Sequence, residues 1–238
     1  MYRRFAGICL AAIALTACDQ NVSAKLYVRD VQDITSSTAA TGIPVDLTIE
    51  ILESGLVQKC EKAEGQELVE AVAAVFEKAS LLGCERVSGS LNDRMTIKAT
   101  TSLFSVNGDQ NMPISNLLAF QAAKADDGSS SVHVRFNPEK YEEVQKRLRR
   151  VNSMASIKLT DASLSIVVTN DLREPATIIY SRGVFIDGHP ADIPLQQQLN
   201  PRQEATIKLG DVKFTHLAQK GFALVFGIDK QSNQSTSN

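Results

Sequence analysis

The chain has 238 residues, of which 43% are hydrophobic, and its formal net charge at pH 7 is −2. A chain of this length can bury one large core or two small ones. The slightly acidic balance argues against bulk binding of nucleic acid, which requires a basic surface. The chain has no tryptophan and only 5% aromatic residues, which weighs against a carbohydrate-binding platform.

The first residues have the composition of a leader. Arg3 and Arg4 precede an uncharged apolar run from Phe5 to Leu15. This run is too short to cross a bilayer as a helix, which takes roughly 20 apolar residues. A basic start, a short apolar run and small residues after it predict a secretory signal peptide over residues 1–17. Removal of that segment takes away two basic residues and no acidic one, so the mature net charge is −4.

The sequence Leu15-Thr16-Ala17-Cys18 resembles the lipobox of bacterial lipoprotein precursors. The resemblance implies cleavage between Ala17 and Cys18, a diacylglycerol (with palmitate-type chains) on the Cys18 thiol, and acylation of the new amino group. Several acyl chains anchor a protein firmly, whereas one holds it only marginally. The alternative is an ordinary secretory leader with an incidental cysteine.

Asp19 and Gln20 follow the proposed lipidation site. An aspartate at this place resembles the sorting signal that retains enterobacterial lipoproteins in the inner membrane. The expected location is therefore the periplasmic face of the inner membrane, in preference to the outer membrane.

Two cysteines, Cys60 and Cys84, remain in the mature chain besides Cys18. In the oxidising periplasm such a pair is by default a structural disulfide. The pattern predicts a helix over 66–82 between them, about 25 Å long, whereas the Cα atoms of a disulfide lie within about 7 Å. The bridge therefore requires that 61–65 run back along the helix, or that the helix start late or end early. With neither a CxxC spacing nor a histidine close by in sequence, a zinc or redox site is disfavoured.

The first half of the mature chain is predicted to be an α+β domain over 25–125, with one helix on an antiparallel sheet, after a short tether at 18–24. Alternation and turn signals place its strands at 25–31, 45–51, 85–90 and 95–106. The stretch 112–125 is ambiguous and is compatible with a short helix.

The small, polar stretch 126–131 is predicted to be a linker between two domains. A β-rich domain over 132–230 follows it, with one helix that Asn137 and Pro138 open and that runs to about Arg150. The turn-punctuated strands over 164–228 have the pattern of an immunoglobulin-like sandwich. Strands are expected at 132–136, 155–169, 177–187, 204–214 and 222–228, with a turn at 187–188 and a disordered polar tail at 231–238.

The histidines give weak signals for a site. His189 lies between Asp187 and Asp192, which would suit a metal ligand, but a Gly- and Pro-containing turn is the favoured interpretation. His133 alternates with apolar residues and is expected to face solvent, and His216 has no partner in sequence. The chain shows no HExxH, P-loop or GxSxG motif. Ser181 is interpreted as a structural residue. We therefore predict no catalytic residue, no metal site and no cofactor.

A cluster of basic residues ends the predicted helix of the second half. Its members pair with acidic residues at a spacing of four, and cations also suit the carboxyl end of a helix. The alternative is contact with an anion, either a lipid headgroup or an acidic partner. The cluster consists of Lys146, Arg147, Arg149 and Arg150.

The sequence favours a lipid-anchored, periplasm-facing protein that acts as a non-catalytic binding or accessory module for another envelope component. Two alternatives stay open. One is a phage- or plasmid-encoded exclusion-type lipoprotein, which this chain resembles in layout alone. The other is an envelope hydrolase, whose site would show a pocket of convergent groups with shifted ionisation.

Overall fold

The structure is a computed structural model that describes residues 19–36, 42–105, 114–151 and 159–230. The predicted signal peptide, Cys18 and the polar tail at 231–238 lie outside the described residues. Within the described part the chain forms thirteen strands and five α-helices. The strands are β1 (Asp19–Tyr27), β2 (Ile43–Glu53), β3 (Glu77–Arg86), β4 (Asp93–Ser105), β5 (Leu118–Lys124), β6 (Ser130–Phe136), β7 (Ala162–Thr169), β8 (Ala176–Tyr180), β9 (Val184–Ile186), β10 (His189–Ala191), β11 (Leu195–Leu199), β12 (Glu204–Leu209) and β13 (Phe222–Ile228). The helices are α1 (Val28–Ser36), α2 (Leu56–Cys60), α3 (Ala63–Ala73), α4 (Pro138–Val151) and α5 (Asp211–Lys220).

All thirteen strands belong to one sheet, in the order β10-β9-β12-β7-β1-β2-β4-β5-β6-β13-β8-β11, with β3 also paired to β4. Most neighbours are antiparallel, but β1 runs parallel to β7 and β4 runs parallel to β5. The long strand β4 pairs with β3 through its first half and with β5 through its last three residues. The two halves of the chain are therefore hydrogen-bonded into one sheet at β1–β7 and at β5–β6.

The sheet curls on itself. Its two edge strands, β10 and β11, are consecutive in the chain and are joined by residues 192–194 alone. Consecutive Cα atoms are about 3.8 Å apart, so this link keeps the ends of the two strands within about 15 Å. The two edges must therefore approach each other, and the sheet is barrel-like and nearly closed.

One hydrophobic core fills this sheet. Strands such as β6 and β12 alternate between buried and more exposed residues, so each contributes one face to it. The amphipathic helix α1 buries Val28, Val31 and Ile34 against it, and its Thr35 lies 3.2 Å, oxygen to oxygen, from Ser130 at the start of β6. The buried apolar residues of both halves form a single cluster.

We call the end of the sheet where β1 begins the lower end. Asp19 pairs there with Leu52 near the end of β2, and Gln20 pairs with Ala162 at the start of β7. At the same end, β12 finishes at Leu209, which pairs with the first residue of β9. The turns at 87–92, 181–183 and 192–194 and the first turn of α5 all follow or precede strand ends at this level.

The mixed, strand-rich character predicted from the sequence is confirmed, but the immunoglobulin-like sandwich and the division at 126–131 are not. Residues 126–129 form a tight turn between β5 and β6, and residues 130–131 already belong to β6; the two strands pair in register from Leu118–Phe136 to Lys124–Ser130. In the turn, Asp127 accepts hydrogen bonds from the backbone and hydroxyl of Ser129. Its small polar residues form a hairpin loop within the sheet.

The predicted tether at 18–24 is wrong for residues 19–24. These residues form most of β1, a strand between β2 and β7, in which Ala24 is buried in the core. The predicted strand 25–31 ends at Tyr27 and continues as α1. The strand begins earlier than predicted, in the polar residues that follow Cys18.

Three further element predictions are corrected. The helix predicted over 66–82 ends at Ala73, and the chain returns as β3, which pairs with β4. The stretch 112–125, compatible with a helix, contains β5. The strand predicted over 204–214 ends at Leu209 and gives way to α5. In each case pairing with a distant strand or a helix cap outweighs the local pattern.

Candidate functional site

Helix α5 organises a group of polar side chains at the lower end of the sheet. It begins after Gly210, whose backbone is extended, and ends at Gly221, which is left-handed (φ 79°) and donates its N–H to Leu217 O at 2.8 Å. A left-handed backbone is unfavourable for residues that have a Cβ, so glycine suits this position after a helix. The sequence from Asp211 to Lys220 has an acid first, a base last and Gly221 next, which indicates a helix, although a strand was predicted over 204–214.

Lys213, in the first turn of α5, ties the helix to the sheet. Its Nζ lies 2.5 Å from Ser181 Oγ and 2.9 Å from the carbonyl oxygen of Arg182. Ser181 Oγ in turn donates towards the carbonyl oxygens of Leu224 and Val225, at 2.9 and 2.8 Å. This chain of hydrogen bonds joins α5, the end of β8 and β13.

A cavity of about 680 Å³ opens between these elements, and we call it the α5 pocket. Basic side chains reach it from three places in the chain: β6, the β8–β9 turn and α5. Its apolar wall comes from Phe222 and Leu224, and one carboxylate, Asp192, also lines it. The basic residues that line it are His133, Arg182, Lys213 and His216.

The positive charges in the α5 pocket are poorly compensated. Burial, with a further contribution from the Arg182 charge, lowers the pKa of Lys213 to about 8. Burial also lowers the pKa of His133, and the charges of Arg135 and Lys213 lower it further. Among the described residues, neither Arg182 nor Lys213 forms an ion pair with a carboxylate. Such a pocket attracts anions.

A second cavity, of about 460 Å³, lies on the other side of the first turns of α5. Asn21 of β1 lines it together with Ser163 of β7, and Asp211 and Phe214 contribute from α5. Asn21 also accepts a 2.5 Å hydrogen bond from Ser163. Because this cavity touches both β1 and α5, the α5 pocket lies close to the start of β1.

The structure differs from the sequence prediction for the position of one histidine, His133. His133 was expected to face solvent, but it lies partly buried in the α5 pocket, because β13 pairs with β6 and places Leu224 opposite it. His216 is exposed on α5 and its ring meets Phe222 edge-on at 6.5 Å between centroids. The described residues contain no group of three metal-ligand side chains.

The predicted turn around His189 is confirmed. Asp187 and Gly188 have φ of 48° and 85° and form the two-residue loop between β9 and β10. Both central residues of such a hairpin need positive φ, which explains the Asp-Gly pair. Asp187 Oδ1 also accepts the N–H of Thr206 at 2.8 Å, and His189 starts the next strand exposed to solvent.

The structure brings Cys60 and Cys84 together as a pair that can form a disulfide, with Cα atoms 6.5 Å apart. Helix α3 ends early, so β3 carries Cys84 back towards the end of α2. This is one of the arrangements that the sequence analysis required for the bridge. A Cβ on Gly65 would lie 2.6 Å from the Cα of Cys60, so the chain passes very close to the bridge.

The basic cluster at the end of α4 is only partly paired. Arg147 bonds Glu143 at 3.1 Å and Lys140 bonds the same carboxylate at 2.7 Å. These bonds hold the pKa of Glu143 below its usual value. This is the spacing-of-four pairing that the sequence indicated for Arg147, whereas Lys146, Arg149 and Arg150 are exposed. The anionic contact proposed for the cluster stays a prediction.

The sorting and lipidation residues fall at the edge of the described chain. Ala17 and Cys18 lie outside it, whereas Asp19 and Gln20 are the first two residues of β1. No described helix is long and apolar enough to cross a membrane.

The family described as "Domain of unknown function (DUF7424)" matches residues 20–233. The chain belongs to the DUF7424 family. The match starts inside β1, ends beyond β13 and covers both halves of the sheet, so the α5 pocket lies wholly within the DUF7424 domain. No curated protein and no solved structure matches the chain.

Proposed function

We propose that this protein is a lipid-anchored, periplasm-facing envelope lipoprotein that rests its lower end on the membrane and serves as a non-catalytic binding module for another envelope component. The lipobox at Leu15–Cys18 supports the anchor, and Asp19 supports retention at the inner membrane. The partner is expected to be a protein of the same membrane surface.

The position of β1 is the observation that carries this proposal. The sheet begins at Asp19, directly after the cysteine that would bear the lipid. Consecutive Cα atoms are only about 3.8 Å apart, so acyl chains on Cys18 would leave no tether between the bilayer and the fold. The lower end of the sheet would then lie at the lipid surface.

The exposed apolar side chains support the same orientation. Of the large hydrophobic residues, Leu91, Val212 and Ile193 are 95%, 86% and 68% exposed. All three lie in turns or a first helical turn at the lower end. Apolar side chains on the rim of a lipid-anchored domain can insert among headgroups and add to the anchor.

The end of α4 can add charge to this contact. Arg149 and Arg150 are exposed, and each basic residue near an anionic lipid surface contributes about 1 kcal/mol. We propose that these two arginines face the headgroups. Their reversal to glutamate would then tilt the domain on the membrane without unfolding it.

In-cell cross-linking tests the binding function. Wild-type protein and Cys18→Ala would be cross-linked in living cells, and the co-purifying proteins compared after each is shown to be folded. We expect a discrete partner with the wild type that is lost when the anchor is removed. A wild-type sample with no enriched partner would contradict the binding module.

Hydrolysis is a second candidate, because Lys213 Nζ lies 2.5 Å from Ser181 Oγ and its pKa is lowered to about 8. A lysine that loses its proton near neutral pH can act as the base for a serine nucleophile. Against this, the Ser181 hydroxyl donates to backbone carbonyls of β13 and not to the lysine. Covalent labelling of the wild type by a fluorophosphonate, absent in Ser181→Ala, would favour the hydrolase.

A further inference from the structure

The α5 pocket gathers basic side chains, and two of them, Arg182 and Lys213, form no ion pair with a carboxylate among the described residues. His133 comes from β6, Arg182 from the turn after β8, and Lys213 and His216 from α5. Assembling like charges in a partly buried place is unfavourable unless something offsets their repulsion. Asp192 is the single carboxylate among the described lining residues, so one negative charge stands against the positive charges of Arg182 and Lys213.

The donors of this cluster are open to a ligand. The ammonium of Lys213 has three N–H groups, of which Ser181 Oγ and the Arg182 carbonyl take two. Arg182 is exposed, and its guanidinium carries five N–H donors. An anion with several oxygen atoms is the ligand that matches such a set.

We propose that the α5 pocket binds a phosphate group, carried either by an anionic phospholipid headgroup or by a soluble phosphate ester. A phosphate presents several acceptor oxygens, which arginine and lysine bind with charge-assisted hydrogen bonds. A volume of about 680 Å³ leaves room for a glycerol unit, and Phe222 and Leu224 offer it an apolar wall. The lipid source rests on the proposed function, whereas the soluble source does not.

Binding of a soluble headgroup tests the site first. Purified full-length protein in neutral detergent would be titrated calorimetrically with glycerophosphoglycerol and with glycerol 3-phosphate. We expect saturable binding that weakens about tenfold in Arg182→Gln, since one charge-assisted hydrogen bond is removed. Arg173→Gln is the matched control, because Arg173 is also exposed but lies between β7 and β8, at the opposite end of the sheet.

Vesicles then distinguish the two sources. Wild type and both arginine variants would be tested for binding to phosphatidylcholine vesicles with and without phosphatidylglycerol. Preference for phosphatidylglycerol that Arg182→Gln loses and Arg173→Gln keeps would assign the phosphate to a lipid. Binding of the soluble esters without vesicle preference would assign it to a free ligand.

Two results would overturn the site: no saturable binding of either ester, or equal binding by wild type and Arg182→Gln. Lys213→Gln provides a second variant in case the fold tolerates Arg182→Gln poorly, since it removes the ammonium charge and is expected to weaken binding of both esters. The ester titration needs no membrane. Its failure would leave the anchored binding module standing, and a failed cross-linking experiment would leave the phosphate site standing.

Discussion

Asn170 is a fully buried polar side chain that joins two segments of the chain. Its Nδ2 donates to the carbonyl oxygens of Glu174 and Leu199 at 2.9 and 2.8 Å, and its Oδ1 accepts the N–H of Leu172 at 3.0 Å. These bonds hold the turn after β7 against the end of β11. Removing them leaves buried backbone groups unsatisfied, which costs more than a surface hydrogen bond.

We expect Asn170→Ala to lower the free energy of unfolding by about 3 kcal/mol, measured by urea denaturation. Asn200→Ala is the matched control, because Asn200 is exposed and its loss is expected to cost less than about 0.5 kcal/mol. Equal effects of the two substitutions would contradict this role of Asn170.

Lys213 would give the proposed phosphate binding a pH dependence. In the folded protein its pKa is lowered to about 8, so the ammonium form that attracts an anion is present below this pH and is lost above it. His133 and Arg135 on β6, Arg182, Asp192 and His216 are the other charged or titratable groups at or beside the pocket.

The affinity for glycerophosphoglycerol, whose phosphodiester charge is constant in this range, is therefore expected to fall as the pH rises from 7 to 9.5. Calorimetric titrations at a series of pH values measure this fall. Lys213→Arg keeps its charge throughout and is expected to give a flat profile. A flat profile in the wild type would show that Lys213 does not contribute to binding.

Single residues with local partners were predictable from the sequence. Asn137 caps α4 as expected and accepts the N–H groups of Glu139 and Lys140 at 3.0 and 3.2 Å. The Asp187–Gly188 turn also has a purely local cause. By contrast, Ser181 and Lys213 are 32 residues apart and meet only because α5 folds back on the end of β8. Nothing in the local pattern at Ser181 indicates this neighbour.

At the level of elements, the segment from α2 to β3 shows where periodicity misleads. The apolar residues of 66–82 recur at helical spacing, yet the helix ends at Ala73 and β3 begins at Glu77. Val75 and Phe76 are buried at the junction, where they serve the core without being helical. The residues that follow form β3 and pair with one edge of β4. The local sequence does not show that this edge is available.

Because α3 ends early, the cysteine pair can link α2 covalently to β3. A bridge between Cys60 and Cys84 closes a loop with a sequence separation of 24 and fastens α2 to β3. Restricting such a loop in the unfolded chain stabilises the fold by about 3 kcal/mol.

We expect the double variant Cys60→Ala/Cys84→Ala to be about 3 kcal/mol less stable than the oxidised wild type in urea denaturation. Reductant should destabilise the wild type by a similar amount and leave the double variant unchanged. A wild type indifferent to reductant would argue against the bridge.

For the whole molecule, one sheet and one core join both halves of the described chain, so we expect it to unfold as one cooperative unit. The parallel pairing of β1 with β7 and the pairing of β5 with β6 join the two predicted domains, and the buried residues form one cluster. The sequence indicated most of the strands but not these long-range pairings. A parallel pair between residues about 140 positions apart leaves no local signal.

Hydrogen exchange followed by mass spectrometry tests this unity. We expect slow-exchanging amides in β2 and β4 and in β7 and β13 to open together as urea is raised, in a single transition. Opening of the 132–230 half at a lower urea concentration than the 25–125 half would restore the two-domain interpretation.

Spin-label accessibility measures the proposed orientation of the molecule on the membrane. Val212→Cys at the lower end and Lys124→Cys at the opposite end would each be labelled in the lipidated protein in membranes, with the acylated Cys18 peptide verified by mass. We expect the label at 212 to be accessible to oxygen from the bilayer and shielded from an aqueous nickel reagent, whereas the label at 124 is expected to be exposed to the aqueous reagent. Equal aqueous exposure of both labels in verified lipoprotein would contradict it.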